Sequence, residues 1–255
     1  MKKNILLALF IIVSLDVNAQ TSDTIVNEWD CHYYTLFNLD FDHGKDMREF
    51  QGRLLISNSK SYFYMSATEK TYEKEDADHD ITVKTDTMFK VIKNLDNNYV
   101  LFSDVLFTKK ETFYSDSLHQ MDWELTTDTK YIDSLECFKA KTYFRGRHYI
   151  AWYALGLAIP NGPWKIGGLP GLVIETYDED KNIYFLLKKF TRITNNSTAD
   201  FPNVIHKQPY STFIDNRYKF MKNVSANLSA QESGCLTCET KSKINFFFWE
   251  KVSQQ

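Results

Sequence analysis

Between Ile25 and Phe41 apolar and polar side chains alternate over most of the segment. Ile25, Trp29, Cys31, Tyr33, Phe37, Leu39 and Phe41 share one parity, and Glu28, Asp30, His32, Asn38, Asp40 and Asp42 the other. Successive side chains of a strand point to opposite faces, so this pattern demands a long strand with one face buried and one in water. The partners it needs follow in the same style. Arg48 to Ser57 and Ser61 to Ala67 flank a polar turn at 58–60, and Thr87 to Lys93 and Tyr99 to Phe107 flank another at 94–98. Met121 to Thr126 and Tyr131 to Phe144 bracket 127–129, Arg145-Gly146 leads into Arg147 to Leu155, and 178–182 separates Leu172 to Tyr177 from Ile183 to Phe190. Strands joined by short polar turns describe an antiparallel meander. The spacers are too short for parallel βαβ units. Glu69 to Asp80 reads as a solvated loop, and Lys243 to Trp249 as a last strand.

One helix interrupts the pattern. Thr212 and Asp215 form a capping signature, and Ile214, Tyr218, Met221, Val224 and Leu228 recur at three- and four-residue spacing, which predicts a helix over 212–232 ending near Gly234. The expected fold is mainly β: a single curved antiparallel sheet or half-barrel with one C-terminal helix packed on it. Inward aromatics such as Trp29, Tyr33, Phe37 and Trp152 would fill its concave side.

The first residues carry an address. Lys2 and Lys3 precede an apolar run from Ile5 to Val13, and Val17-Asn18-Ala19 supplies a small-residue cleavage site before Gln20. That is the pattern of a signal peptide, and the run is shorter than the roughly 20 apolar residues of a membrane span. The expectation is a signal peptide at 1–19, a single domain at 20–255, and a periplasmic or secreted product with no transmembrane span after cleavage. Removing Lys2, Lys3 and Asp16 from 30 basic and 33 acidic residues leaves 28 against 32, a net of −4. This balance excludes nucleic acid as a partner, since phosphate binding needs concentrated basic charge. Cys31, Cys137, Cys235 and Cys238 become disulfide candidates in an oxidising compartment, with three possible pairings.

Recognisable chemistry is sparse. Six scattered histidines lack metal-binding spacing, no Gly-x-Ser-x-Gly elbow or phosphate loop occurs, and neither a metal nor another cofactor is expected. Cys235-Leu236-Thr237-Cys238 reads either as a redox pair or as a structural disulfide; it follows a helix, whose C-terminal dipole does not stabilise a thiolate.

The most distinctive segment runs from about 114 to 190. It contains Trp123, Cys137-Phe138-Lys139-Ala140, Phe144-Arg145-Gly146-Arg147, Ala151-Trp152-Tyr153, Gly162-Pro163-Trp164-Lys165 and Gly167-Gly168-Leu169-Pro170-Gly171-Leu172. On these residues the chain resembles the GLPGL family of exported bacterial proteins. The resemblance implies a mainly β envelope protein and supplies no catalytic residue. Physically, Gly167 and Gly168 permit positive φ, Pro170 fixes its own φ, and Gly171 lets the chain bend before the next strand. The segment is either a corner that curves the sheet, with Leu169 and Leu172 in the core, or a ligand groove lined by Trp164. Two function classes stay open. One is a non-catalytic binding or assembly component for an envelope protein, peptide or lipid-like ligand. The other is an envelope enzyme, either a thiol oxidoreductase using Cys235 and Cys238 or a hydrolase whose site assembles in space.

Overall fold

Five hairpin turns each place a non-glycine residue in the left-handed region: Asn58, Asn98, Asp133, Arg145 and Lys181 have φ between 49 and 54°. The computed structural model describes residues 28–38, 47–67, 70–72, 81–83, 87–104, 111–118, 121–193 and 201–233. Its strands are β1 (Glu28–Asn38), β2 (Met47–Ser57), β3 (Lys60–Ala67), β4 (Lys70–Tyr72), β5 (Ile81–Val83), β6 (Thr87–Asn94) and β7 (Tyr99–Asp104). They continue as β8 (Phe113–Ser117), β9 (Glu124–Ile132), β10 (Leu135–Phe144), β11 (Arg147–Ala154), β12 (Leu172–Asp178), β13 (Ile183–Arg192) and β14 (Lys207–Pro209), followed by helix α1 (Tyr210–Ser233). Twelve of these strands form one open sheet in the order β14-β8-β7-β6-β3-β2-β1-β13-β12-β11-β10-β9, and β4 pairs with β5 beside it. The mainly β expectation, with one helix near the C-terminus packed on the sheet, is what the fold shows.

β1 is the seam of the sheet. It pairs on one side with β2, which opens the run to β8, and on the other with β13, which closes the run from β9. Cys31, Tyr33 and Phe37 are buried as the alternation demands, and Phe37 meets Phe50 and Phe185 edge-on at 5.6 and 5.8 Å. Two residues assigned to the wet face are buried at the strand ends. Glu28 accepts from the Ser57 hydroxyl, and Asn38 donates through its side-chain amide to Asn182. A second, smaller cluster on the opposite face joins Leu55, Tyr62, Ile92 and Leu101 under Ile193, Phe201 and Val204.

Several expectations need correction. β9 continues through 127–129 with a bulge opposite Lys139, and the reversal falls at Asp133, which supports positive φ better than a threonine would. Lys70–Tyr72 is a strand rather than loop. The five-residue β8 and three-residue β14 went unread, and they pair in parallel. α1 begins at Tyr210, directly after Pro209, so Thr212 and Asp215 lie within its first two turns instead of capping it. Its buried residue is Phe213, which meets Phe102 and Tyr114 at 5.0 and 5.2 Å. Of the expected face, Ile214 packs against the core, whereas Tyr218, five residues or about 140° beyond Phe213, is 55% exposed. Residues 1–27, including the signal pattern, and 234–255, including Lys243 to Trp249, lie outside the described residues. Among the described residues no helix is long and apolar enough to cross a membrane.

Candidate functional site

Residues 155–171 leave β11 and fold back over the inner face of the sheet before entering β12. They form a hydrogen-bonded plug: Gly168 N–H donates to Pro160 O at 3.3 Å, Val173 N–H to Asn161 O at 3.0 Å, and the Trp123 indole to Gly167 O at 2.9 Å. Trp164 lies at φ 50°, a conformation that costs a bulky residue on the order of 1–3 kcal/mol. It is held there from outside. Lys93 of β6 donates to the carbonyls of Gly162 and Ile166, two residues to either side, at 2.8 and 2.9 Å. Burial pushes the Lys93 amine down to about 7. A neutral amine retains two N–H donors, so both bonds survive deprotonation. Lys165 places its ammonium 3.8 Å over the Phe102 ring.

This arrangement has the geometry of a packed corner. Trp164 is 4% exposed, wedged between Phe144 and Tyr149, and Leu169 and Leu172 are buried. Within 167–172 the exposed residues are Gly168 (φ 84°) and Pro170. Gly171 is dictated by crowding: a Cβ there would sit 2.1 Å from the Ala154 carbonyl oxygen. The close approach is between two parts of this chain, and Trp164 fills the interior. Sequence reading missed Lys93, although a lysine in the inward parity of Phe89 and Val91 was the available signal.

The cysteines are placed apart. Cys31 and Cys137 are buried free thiols. β1 and β10 are separated by four strand spacings of about 4.8 Å, roughly 19 Å along the sheet, where a disulfide needs Cα atoms within about 7 Å. Burial, with Asp30 adding to it, pushes the Cys31 thiol up to about 12, and burial raises Cys137 to about 11 despite the opposing Lys130 charge. Both are therefore poor nucleophiles. Cys235 and Cys238 lie outside the described residues. Among the described residues no cluster of His, Cys, Asp and Glu could hold a metal.

The outer face of the same strands is built differently. One cross-strand row runs Lys139, Trp152, Glu175, Leu186, Tyr34 and Gln51, and the next runs Lys141, Ile150, Tyr177, Tyr184, Leu36 and Glu49. Trp152 therefore belongs to the outer face, not to the concave filling expected of it. Tyr177 and Tyr184 stack with centroids 6.2 Å apart, and the Tyr184 hydroxyl donates to Glu175 at 2.9 Å. Lys130 also bonds Glu175 and lies 4.3 Å over the Trp152 ring. Tyr34 donates to Glu49 at 2.8 Å, and Tyr143, 64% exposed, sits 4.8 Å from the His148 ring. The Trp152 indole N–H is buried without an acceptor among the described residues.

An open, mainly antiparallel sheet with one face plugged by its own loop and the other laid with tyrosines and paired charges defines a mainly β domain. A family model described as "N-glycanase peptide, N-terminal domain" matches residues 47–208, more than half of the chain, and the chain belongs to that family. This overturns the GLPGL resemblance. The Gly-Leu-Pro-Gly-Leu string lets the loop cross close to backbone at Gly171 while burying Leu169 and Leu172. Two solved structures align over 76% of the chain. "Structure of PNGF-II in P21 space group" does so at 18% identity and TM-score 0.50, covering 34% of that chain. The C2 form does so at 17% and 0.49, covering 33%. The chain thus spans about a third of the length of PNGF-II. No curated protein matches it.

Proposed function

We propose that this chain is an exported, non-catalytic recognition domain, periplasmic or secreted, that holds N-glycosylated polypeptide for a hydrolytic partner. The observation that carries the reading is the family match over 47–208, which is to the N-terminal domain of N-glycanases. Two features support it. The ionisable groups buried inside the sheet are engaged in holding the fold, with Lys93 on the plug and Arg147 on Asp178 at 2.8 Å. The leader pattern ahead of Gln20 suits export into a space where glycosylated polypeptide is met.

The test uses the mature chain with an N-glycosylated protein immobilised before and after enzymatic removal of its sugars. Retention on the glycosylated form alone, with no free glycan detected by mass spectrometry, is the expected outcome. Released glycan would overturn the non-catalytic half of the reading, and equal retention on the stripped protein would overturn the recognition half.

A further inference from the structure

The rings on the outer face of β10, β11, β12, β13 and β1 suggest the chemistry they would recognise. Tyr143, Tyr177, Tyr184 and Tyr34 lie along five adjacent strands, about 19 Å from β10 to β1 at roughly 4.8 Å per strand. Each is partly or largely exposed; among them Lys130 and Lys139 are paired with Glu175 and Asp128, and Glu49 accepts from the Tyr34 hydroxyl. Paired charges leave little net field, which disfavours phosphate or an acidic peptide. A row of flat rings edged by hydrogen-bonding groups suits a ligand with apolar faces and polar rims.

We infer that this stripe is an oligosaccharide-binding site, in which Tyr177, Tyr184 and Tyr34 stack on sugar rings while Glu175, Glu49 and Lys141 meet hydroxyls. The inference rests on the recognition reading above and names its surface and ligand class. Trp152, nine-tenths buried under Lys130, contributes an indole N–H with no acceptor among the described residues. A sugar hydroxyl that displaces Lys130 supplies one. The plug side offers no equivalent, because its aromatic residue Trp164 is buried.

The experiment titrates the mature chain calorimetrically with a mannose-rich N-linked oligosaccharide and, separately, with the same glycan on its asparaginyl peptide. The stripe variants are Tyr177→Ala/Tyr184→Ala and the milder Tyr143→Ser, each checked for native circular dichroism and melting. Wild type binds both probes with an affinity that salt barely changes. The double variant loses about tenfold or more, and Tyr143→Ser loses a few-fold. If wild type binds the glycopeptide and a well-folded double variant binds it equally, the stripe is overturned while recognition stands. If wild type binds neither probe, both fall. Binding that collapses in high salt would also overturn the stripe, since it would mark an anion site.

Discussion

The two faces of β10 through β1 use similar residue types to different ends. On the inner face the row Ala140, Ala151, Thr176, Phe185, Thr35 and Phe50 is buried throughout, and Trp164, Ile166 and Leu169 of the plug join the same hydrophobic core. On the outer face the neighbouring row carries Glu175, Leu186 and Tyr34, all partly exposed. Inside, Lys93, Arg147 and Thr176 each have a fixed partner at short range and the Thr35 hydroxyl has none among the described residues, whereas the outer polar groups are half-wet. A buried loop motif and a half-wet polar surface therefore sit back to back on one sheet, with Trp164, Leu169 and Leu172 of the motif on the packed side.

Substitutions ranked by face would break or sharpen that contrast. Gly171→Ala drives a methyl into the Ala154 carbonyl, and a loss above about 4 kcal/mol is expected, read by circular dichroism and thermal unfolding. Gly156→Ala, with nothing within 4 Å of the added carbon, should shift stability by less than about 0.5 kcal/mol; equal effects would refute the crowding argument. Arg147→Ala strands the buried Asp178 carboxylate, which also accepts the Ile183 N–H at 2.8 Å, and should cost about 3–5 kcal/mol by urea unfolding.

Lys93→Met leaves two carbonyls of the plug unpaired and should cost about 2–4 kcal/mol near neutral pH. Its pH signature follows from the lowered amine. Between about 7 and the unfolded lysine value near 10.4 the unfolded chain holds a proton that the folded one has released, so Lys93 makes stability rise with pH across that window. The difference in urea midpoint between wild type and Lys93→Met should widen from pH 7 to 10. A constant gap would show that the amine titrates normally. The smallest effect belongs to the outer face, where Tyr143→Ser should change unfolding free energy by less than about 0.5 kcal/mol.

The hairpins β2–β3, β6–β7, β10–β11 and β12–β13 were legible because alternation and turn chemistry are local, whereas the pairing of β1 with β13 was not. Asn58, Asn98 and Gly146 sit where their residue types belong, and the helix was found within two residues at its start. The Thr-rich stretch at 127–129 misled because edge strands tolerate polar residues on both faces, so composition alone could not separate strand from turn. The plug was illegible for a different reason: Lys93 reaches Gly162 across 69 residues, and no local pattern reports that encounter. The tyrosine stripe lay in plain view as the wet parity of β12 and β13, yet only register brings Tyr177 beside Tyr184 and Glu175 beside Tyr184's hydroxyl.

The two sealed sulfhydryls give the molecule an internal clock. A maleimide reaches Cys31 only when the seam strand parts from a neighbour, whereas Cys137 lies one strand from the open margin at β9. Alkylation traces at the two positions would therefore time separate breathing events, the margin fraying faster than the middle. The slower trace measures how long the whole ribbon stays shut.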